Sequence, residues 1–185
     1  RKRLYAGEID AVRIEKRYVR KDRSVVWVAF TMVLERAADG TPQYEIAVYD
    51  DITARKSYEA ALRDSEAVHR GTFELAASGI AHVGLDGRFL RVNRRLCAIL
   101  GYREDQLIGR SVKQISHPDD RDVTDAQRSR VHAGEHESLR FEKRYLRQDG
   151  RTIWVSLGIA LVRGDRGAPL YEIAMFDDIT ERKQA

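Results

Sequence analysis

The spacing of apolar and polar positions changes period several times along the chain, and each change predicts an element. From residue 79 the sequence reads "GIAHVGLDGRFLRVN", an alternation of two around Asp86-Gly87. That dipeptide favours a tight hairpin turn, so strands are predicted at 80–84 and 89–93. In "RRLCAILGY" the apolar residues Leu96, Ile99 and Leu100 have helical spacing, and Gly101 supplies a stop. "REDQLIG" is a further short helical turn ended by Gly109. "SHPDDRDVTDAQRSRVHAG" has a proline just inside a helix start, acids in the first turn and Gly134 at the end. Alternation then returns and predicts three strands, at 137–147, 152–163 and 169–177. Two strands, several short helices and three strands predict an α+β fold: a five-stranded antiparallel sheet with short helices over one face.

The last three strands occur twice. "YEIAVYDDITARK" begins at Tyr44 and "YEIAMFDDITERK" at Tyr171, an offset of 127 positions. At that offset residues 13–56 match residues 140–183 at 23 of 44 positions without a gap. About 3 matches are expected from ordinary residue frequencies. Upstream, Arg1, Arg3, Ala6, Gly7 and Glu8 fall on Arg128, Arg130, Ala133, Gly134 and Glu135. A period this long is a domain and not a solenoid repeat. The expected organisation is the C-terminal part of a first module at 1–53, a connecting helix at 54–70, a complete module at 71–180 and the start of an outgoing helix at 181–185. The counterpart of residues 67–127 is missing from the first module, so the sequence reads as a fragment of a longer multi-domain protein.

The connecting segment is rich in Ala, Glu, Arg and Leu, all good helix formers. Tyr58, Ala61, Ser65, Val68 and Thr72 fall near 4–3 spacing, a weak coiled-coil seam. The first module's three strands carry Val25, Val26, Val28, Phe30, Ile46 and Val48, expected to form an apolar face without helices over it. A bare three-stranded meander is marginal in water. The expected partner is therefore a second copy of the chain, forming a homodimer through the connecting helix and the partial module.

Composition narrows the chemistry. At 43% hydrophobic and 34% charged residues the balance is that of an ordinary globular protein. The basic residues behind the net charge of +4 are interleaved with acids, so nothing localises nucleic acid. No apolar run approaches a membrane span, and a single cysteine, Cys97, excludes an internal disulfide framework. A cytoplasmic location fits both. The five histidines have no metal-binding spacing, and no nucleophile elbow, phosphate loop or dinucleotide fingerprint appears. No catalytic or metal residues are assigned. The Asp-Asp pairs at 50–51, 119–120 and 177–178 each precede an expected helix start, and all are read as caps. At the two strand-to-helix exits, Asp51 or Thr53 and Asp178 or Thr180 are the capping candidates, with Ile52 and Ile179 placed in the core beside them.

These motifs together resemble the PAS domain, a sensory fold of bacterial signalling proteins. "GIAHVGLDGRFLRVNRRLCAILGY" is similar to the family's opening pattern, "LIGRSVKQISHPDD" to its Leu-x-Gly…His-Pro segment, and "RYLRQDGRTIWV" to its Asp-Gly hairpin. "DDIT" followed by Arg-Lys is similar to its exit motif, in the region called PAC. The first copy departs once: Arg23 replaces the Gly150 of the second, which implies a looser or different turn. The resemblance implies a non-catalytic sensory and dimerisation region that passes a signal through helical linkers to a histidine kinase or a cyclic-di-GMP enzyme elsewhere in the protein. The alternative is a receptor for a small molecule or a cofactor such as haem or flavin. Photoactive flavin members carry "NCRFLQ", from which "NRRLCAILGY" departs, so Cys97 reads as a small buried hydrophobe. Haem needs an axial ligand. His132 aligns with Tyr5 and reads as a surface residue beside Gly134. No cofactor is expected. His82, Asn93 and Cys97 are the candidates to line a ligand pocket.

Overall fold

The computed structural model describes residues 2–185; Arg1, which aligns with Arg128, lies outside the described residues. The chain divides into two compact units, one ending at Val68 and one beginning at His69. In the first, a helical turn α1 (Lys2–Tyr5) precedes β1 (Ala11–Val19), β2 (Val25–Arg36) and β3 (Pro42–Asp51). These form an antiparallel sheet in the order β1-β2-β3. Helix α2 (Thr53–Leu75) follows, longer at both ends than the expected 54–70. Its 23 residues contain no proline, and Gly71 alone is not enough to break it.

The second unit begins with β4 (Gly79–Val83) and β5 (Phe89–Val92), then α3 (Arg94–Leu100), α4 (Glu104–Leu107) and α5 (Val112–Ile115). A 3₁₀ turn at Pro118–Asp120 leads into α6 (Arg121–His132). The sheet is completed by β6 (Ser138–Leu146), β7 (Thr152–Arg163) and β8 (Pro169–Asp178), and α7 (Thr180–Gln184) leaves it. All five strands are antiparallel in the order β5-β4-β8-β7-β6. Helix α5 was not anticipated. It is one turn held by a capping box, in which Ser111 and Gln114 satisfy each other's backbone amides. No described helix is long and apolar enough to cross a membrane.

The core lies on one face of the second sheet. Ala81, Val83, Tyr145, Val155, Leu157, Ala174 and Phe176 pack there against Leu96, Leu100, Leu107, Ile115 and Val131 from the helical layer. Ile52 and Ile179, expected in the cores, are only half-buried, each donating its amide to a tryptophan carbonyl of the neighbouring strand.

Two expectations for the first unit are corrected. The six residues assigned to one apolar face lie on two. Side chains alternate along a strand, so Val26, Val28 and Phe30 share one side of β2 while Val25 faces the other. Pairing of Ile46 with Val33 and of Val48 with Thr31 puts both on the side of Val25. Burial follows the split: Val26 and Val28 are buried, whereas Val25, Ile46 and Val48 are exposed. The Arg23 turn is also not looser. Arg23 takes the left-handed conformation of Gly150, with φ 68° against 82°. Both turns keep the same two backbone hydrogen bonds, and the Asp22 carboxylate braces the first by accepting from the Ser24 amide.

One side chain fastens the start of the second unit. Asn93 is fully buried and caps α3. Its Oδ1 accepts from the amides of Ile80 and Leu96, both at 2.9 Å. Its Nδ2 donates to the carbonyls of Phe73 (2.8 Å) and Ser78 (3.1 Å). All four positions of the amide are used, so one residue joins the end of α2, the start of β4 and the first turn of α3. Asn93→Ala leaves four backbone groups without that partner. The expected loss is about 2–4 kcal/mol, read as a lower denaturation midpoint at unchanged slope for the second unit; a shift near zero contradicts this role.

Candidate functional site

Each unit ends in the same strand-to-helix junction. In the first, the Ile52 amide donates to the Trp27 carbonyl at 2.8 Å, and the Trp27 amide donates to the Thr53 hydroxyl at 2.9 Å. The threonine side chain thus extends the ladder by one rung after β3 has ended. Asp51 Oδ1 accepts from the Thr53 amide at 2.9 Å, and its Oδ2 takes the Arg20 guanidinium. Lys56 and Arg55, in the first turn of α2, both reach the carboxylate of Glu15 on β1 at 2.7 Å. The Lys56 ammonium lies 5.4 Å from the centre of the Trp27 ring. In the second unit the Trp154 amide donates to Thr180 at 3.0 Å, and Asp178 accepts from the Thr180 amide at 2.9 Å. Arg182 and Lys183 pair with Glu142, and Lys183 lies over Trp154.

Aspartate and threonine therefore have separate roles. Asp51 and Asp178 accept the amide of the threonine that opens each helix, and Thr53 and Thr180 bind the helix start to the central strand; Ile179, the N-cap position of α7, has no side-chain cap bond. The Lys56 and Arg55 hydrogen bonds hold the Glu15 carboxyl down at about 2, and Lys183, then Arg182, lowers that of Glu142. The third acidic pair is not a cap. Asp120 occupies the N-cap position of α6 without a side-chain cap bond, and instead takes the Arg144 amide and guanidinium. Opposition by that arginine lowers its carboxyl. Glu15, Glu142, Trp27 and Trp154 were not singled out in the sequence, although they are among the matched positions of the repeat.

The three pocket candidates do not converge. His82 lies between the core residues Ala81 and Val83, so alternation turns it to the opposite face of the sheet. There it stacks on Tyr171 with ring centres 4.8 Å apart and meets the edge of Phe73. Burial, then the Arg91 charge, lowers its pKa. Asn93 is consumed by the backbone bonds described above. Cys97 is half-buried against the core, and burial raises its thiol.

The interior polar groups are others. Lys143 on β6 is 1% exposed. Its Nζ donates to Ser116 Oγ at 2.7 Å and to Thr124 Oγ1, and among the described residues no carboxylate pairs with it. Burial lowers its pKa to about 8. Two residues on, the Tyr145 hydroxyl is buried without a hydrogen-bond partner among the described residues, and burial raises its pKa. The signal was present in the sequence: Lys143 shares the inward period of Phe141 and Tyr145. Near the other end of the sheet Glu172, also buried, takes Arg128 Nε at 2.9 Å and His132 Nε2. His132 is thus tied inward and is not the free surface residue expected. None of the five histidines is in the buried core. Among the described residues no group of three His, Cys, Asp or Glu side chains is placed to hold a metal ion.

A sequence profile of the PAS domain matches residues 2–54 and 78–181. The chain belongs to the PAS domain family. The second segment holds the whole second sheet with its helical layer, and the first holds the three-stranded sheet. The probable diguanylate cyclase DgcE of Escherichia coli (strain K12) is 37% identical over 123 residues, 66% of this chain and 11% of that protein. The sensor histidine kinase TmoS of Ectopseudomonas mendocina is 31% identical over 125 residues, 68% of this chain and 13% of that protein. The chain thus spans little more than a tenth of either relative. The PAS domain of an HTR-like protein from Haloarcula marismortui superposes with a TM-score of 0.57 at 29% identity, covering 67% of this chain and 99% of that one. This chain is thus similar to a segment of a probable diguanylate cyclase and to one of a sensor histidine kinase.

The buried lysine sets a pH dependence. Its native pKa of about 8 lies below the ordinary value of 10.5, so above pH 8 the unfolded chain binds more protons than the native one. Wild type should gain stability over Lys143→Met as pH rises from about 8 toward 10.5, by up to about 1.4 kcal/mol per pH unit. Urea titrations of both proteins measure it. Parallel stability profiles across that window contradict a desolvated ammonium.

Proposed function

We propose that this chain is a non-catalytic sensory and relay region of a longer signal-transduction protein. In this reading the second PAS unit receives a stimulus, and the two junctions pass it through their outgoing helices to an effector of the histidine kinase or diguanylate cyclase type. One observation carries the reading: the same threonine–tryptophan bond and the same glutamate–arginine–lysine cluster launch a helix from both units. A junction built twice in this way couples the sheet to the helix axis without chemistry of its own. The kinase and cyclase relatives support the type of effector.

A second reading, a receptor for a small molecule, is favoured by the core cluster. A buried ammonium without a carboxylate and an unpartnered phenol beside it suit the carboxylate of a ligand. A seated carboxylate keeps Lys143 charged in the native state, and so flattens the rise in stability described above.

For the relay, Glu142→Gln combined with Thr180→Val in the parent protein should leave the second unit folded by circular dichroism while effector output no longer follows the stimulus. Output that still tracks the stimulus removes this role from the junction.

For assembly, the reading places α2 in a parallel pair with the α2 of a second copy. Tyr58 and Leu62, 78% and 63% exposed, supply apolar contact along its length. Sedimentation equilibrium should give a dimer at micromolar concentration, and Tyr58→Glu with Leu62→Glu should shift it to monomer. A wild-type monomer at that concentration sinks the pairing.

A further inference from the structure

The two units carry an arginine at the same place and use it differently. In the first, Arg36 donates from Nη1 to the Gly40 carbonyl at 3.0 Å. From Nη2 it donates to the carbonyls of Leu4 (3.1 Å) and Tyr5 (3.0 Å), which end α1. Its guanidinium so closes the gap between that helix end and the sheet, 3.8 Å from where a Cβ on Gly7 would stand. Arg163 is its counterpart. It keeps the first contact, to the Gly167 carbonyl at 3.1 Å. The second is missing. Nothing lies within 4 Å of a Cβ on Gly134, and among the described residues no side chain donates to the carbonyl of Val131 or His132.

Where the guanidinium is missing, the second unit has a cleft of about 480 Å³. Val131, Gly134, His136, Glu137, Leu161 and Arg163 line it. Val131 and Leu161 give it an apolar wall. The C-terminus of α6 brings the negative end of a helix dipole, and its Val131 carbonyl takes the Gly134 amide at 3.1 Å, as Leu4 takes the Gly7 amide while also accepting from Arg36. Glu137, exposed just before β6, adds a carboxylate to the lining. At the rim His136 is held by Arg130 at 2.7 Å, and Arg130 in turn by Glu135 at 3.0 Å. Arg163, also in the lining, is exposed, and among the described residues no carboxylate pairs with it. The lining thus suits a ligand that carries both a cation able to donate several hydrogen bonds and an anion for Arg163.

We propose that this cleft binds a small molecule bearing a guanidinium or primary ammonium group, seated where the guanidinium of Arg36 sits in the first unit. A carboxylate at the ligand's far end pairs with Arg163, so free arginine fits better than agmatine, which has a second cation there. This proposal stands independently of the relay reading and of any ligand at Lys143. Leu161 pairs with Glu172 of β8, the strand that runs on to Asp178 and Thr180, so the occupied cleft borders the exit strand.

Calorimetric titration of the chain with L-arginine, and amide shifts at Val131, His132 and Gly134, test it. The expected result is saturable binding of one molecule per chain with shifts at those amides. Citrulline, which has a neutral urea in place of the guanidinium, should bind at least about tenfold more weakly. Glu137→Gln, an exposed substitution that leaves the core intact, should weaken arginine binding by a similar factor. Absence of saturation up to about 10 mM arginine, far above the millimolar scale of the weakest specific sites, overturns the proposal. Equal binding of citrulline does so too. So does a silent wild type beside an Arg163→Ala variant that binds, since Arg163 then fills the cleft itself as Arg36 does.

Discussion

An amide hydrogen in the middle of a sheet must be taken up by something when the neighbouring strand ends. At Trp27 and at Trp154 the acceptor is a threonine hydroxyl, and the rest of each junction depends on that substitution. The chain reaches the end of the ladder at Asp51 or Asp178 and turns into a helix one residue later. A backbone carbonyl in a helical turn points along the helix and not across to the strand. The hydroxyl completes the rung and leaves the backbone free to coil. Once the helix starts there, its third and fourth residues come within reach of the glutamate on the next strand, and the fourth lies over the tryptophan. The ion pairs are exposed and individually weak. Their effect is to fix direction.

Much of this was legible in the sequence because it rests on local rules. Period two, Asp-Gly turns and glycine stops placed eight strands and most helices, since each signal is read from a few neighbouring residues. The repeat located the junctions. What escaped depended on which side of a strand a residue faces and on what lies across from it. His82 looked like a cavity residue until register set Ala81 and Val83 inward. His132 looked like a surface residue because its partner, Glu172, is 40 positions away. The acidic pair at 119–120 resembles the other two in sequence, but an arginine on a distant strand takes both of its members.

The two copies also show how far one sequence pattern can drift while its backbone stays fixed. Arg23 accepts a conformation costing about 1 kcal/mol or more for a residue with a Cβ, and the hairpin keeps its hydrogen bonds. Lys16, the counterpart of Lys143, is exposed over the rings of Tyr18 and Phe30. The same residue is thus a surface cation in one unit and a desolvated ammonium in the other. The difference follows from the layer above it: Ser116 and Thr124 come from the helical half that only the second unit contains in this chain.

Glu142 and Lys143 are neighbours on one edge strand, one turned to the junction and the other to the core. A slip of that strand by a single residue would exchange them. It would drive a carboxylate in beside Ser116 and Thr124, turn the Tyr145 ring out of the core, and set an ammonium against Arg182 and Lys183. Both faces would then repel the error at once. The pairing of β6 with β7 is thus proofread by charge from two sides, a safeguard of particular value in a chain whose other half offers near-identical strands as wrong partners.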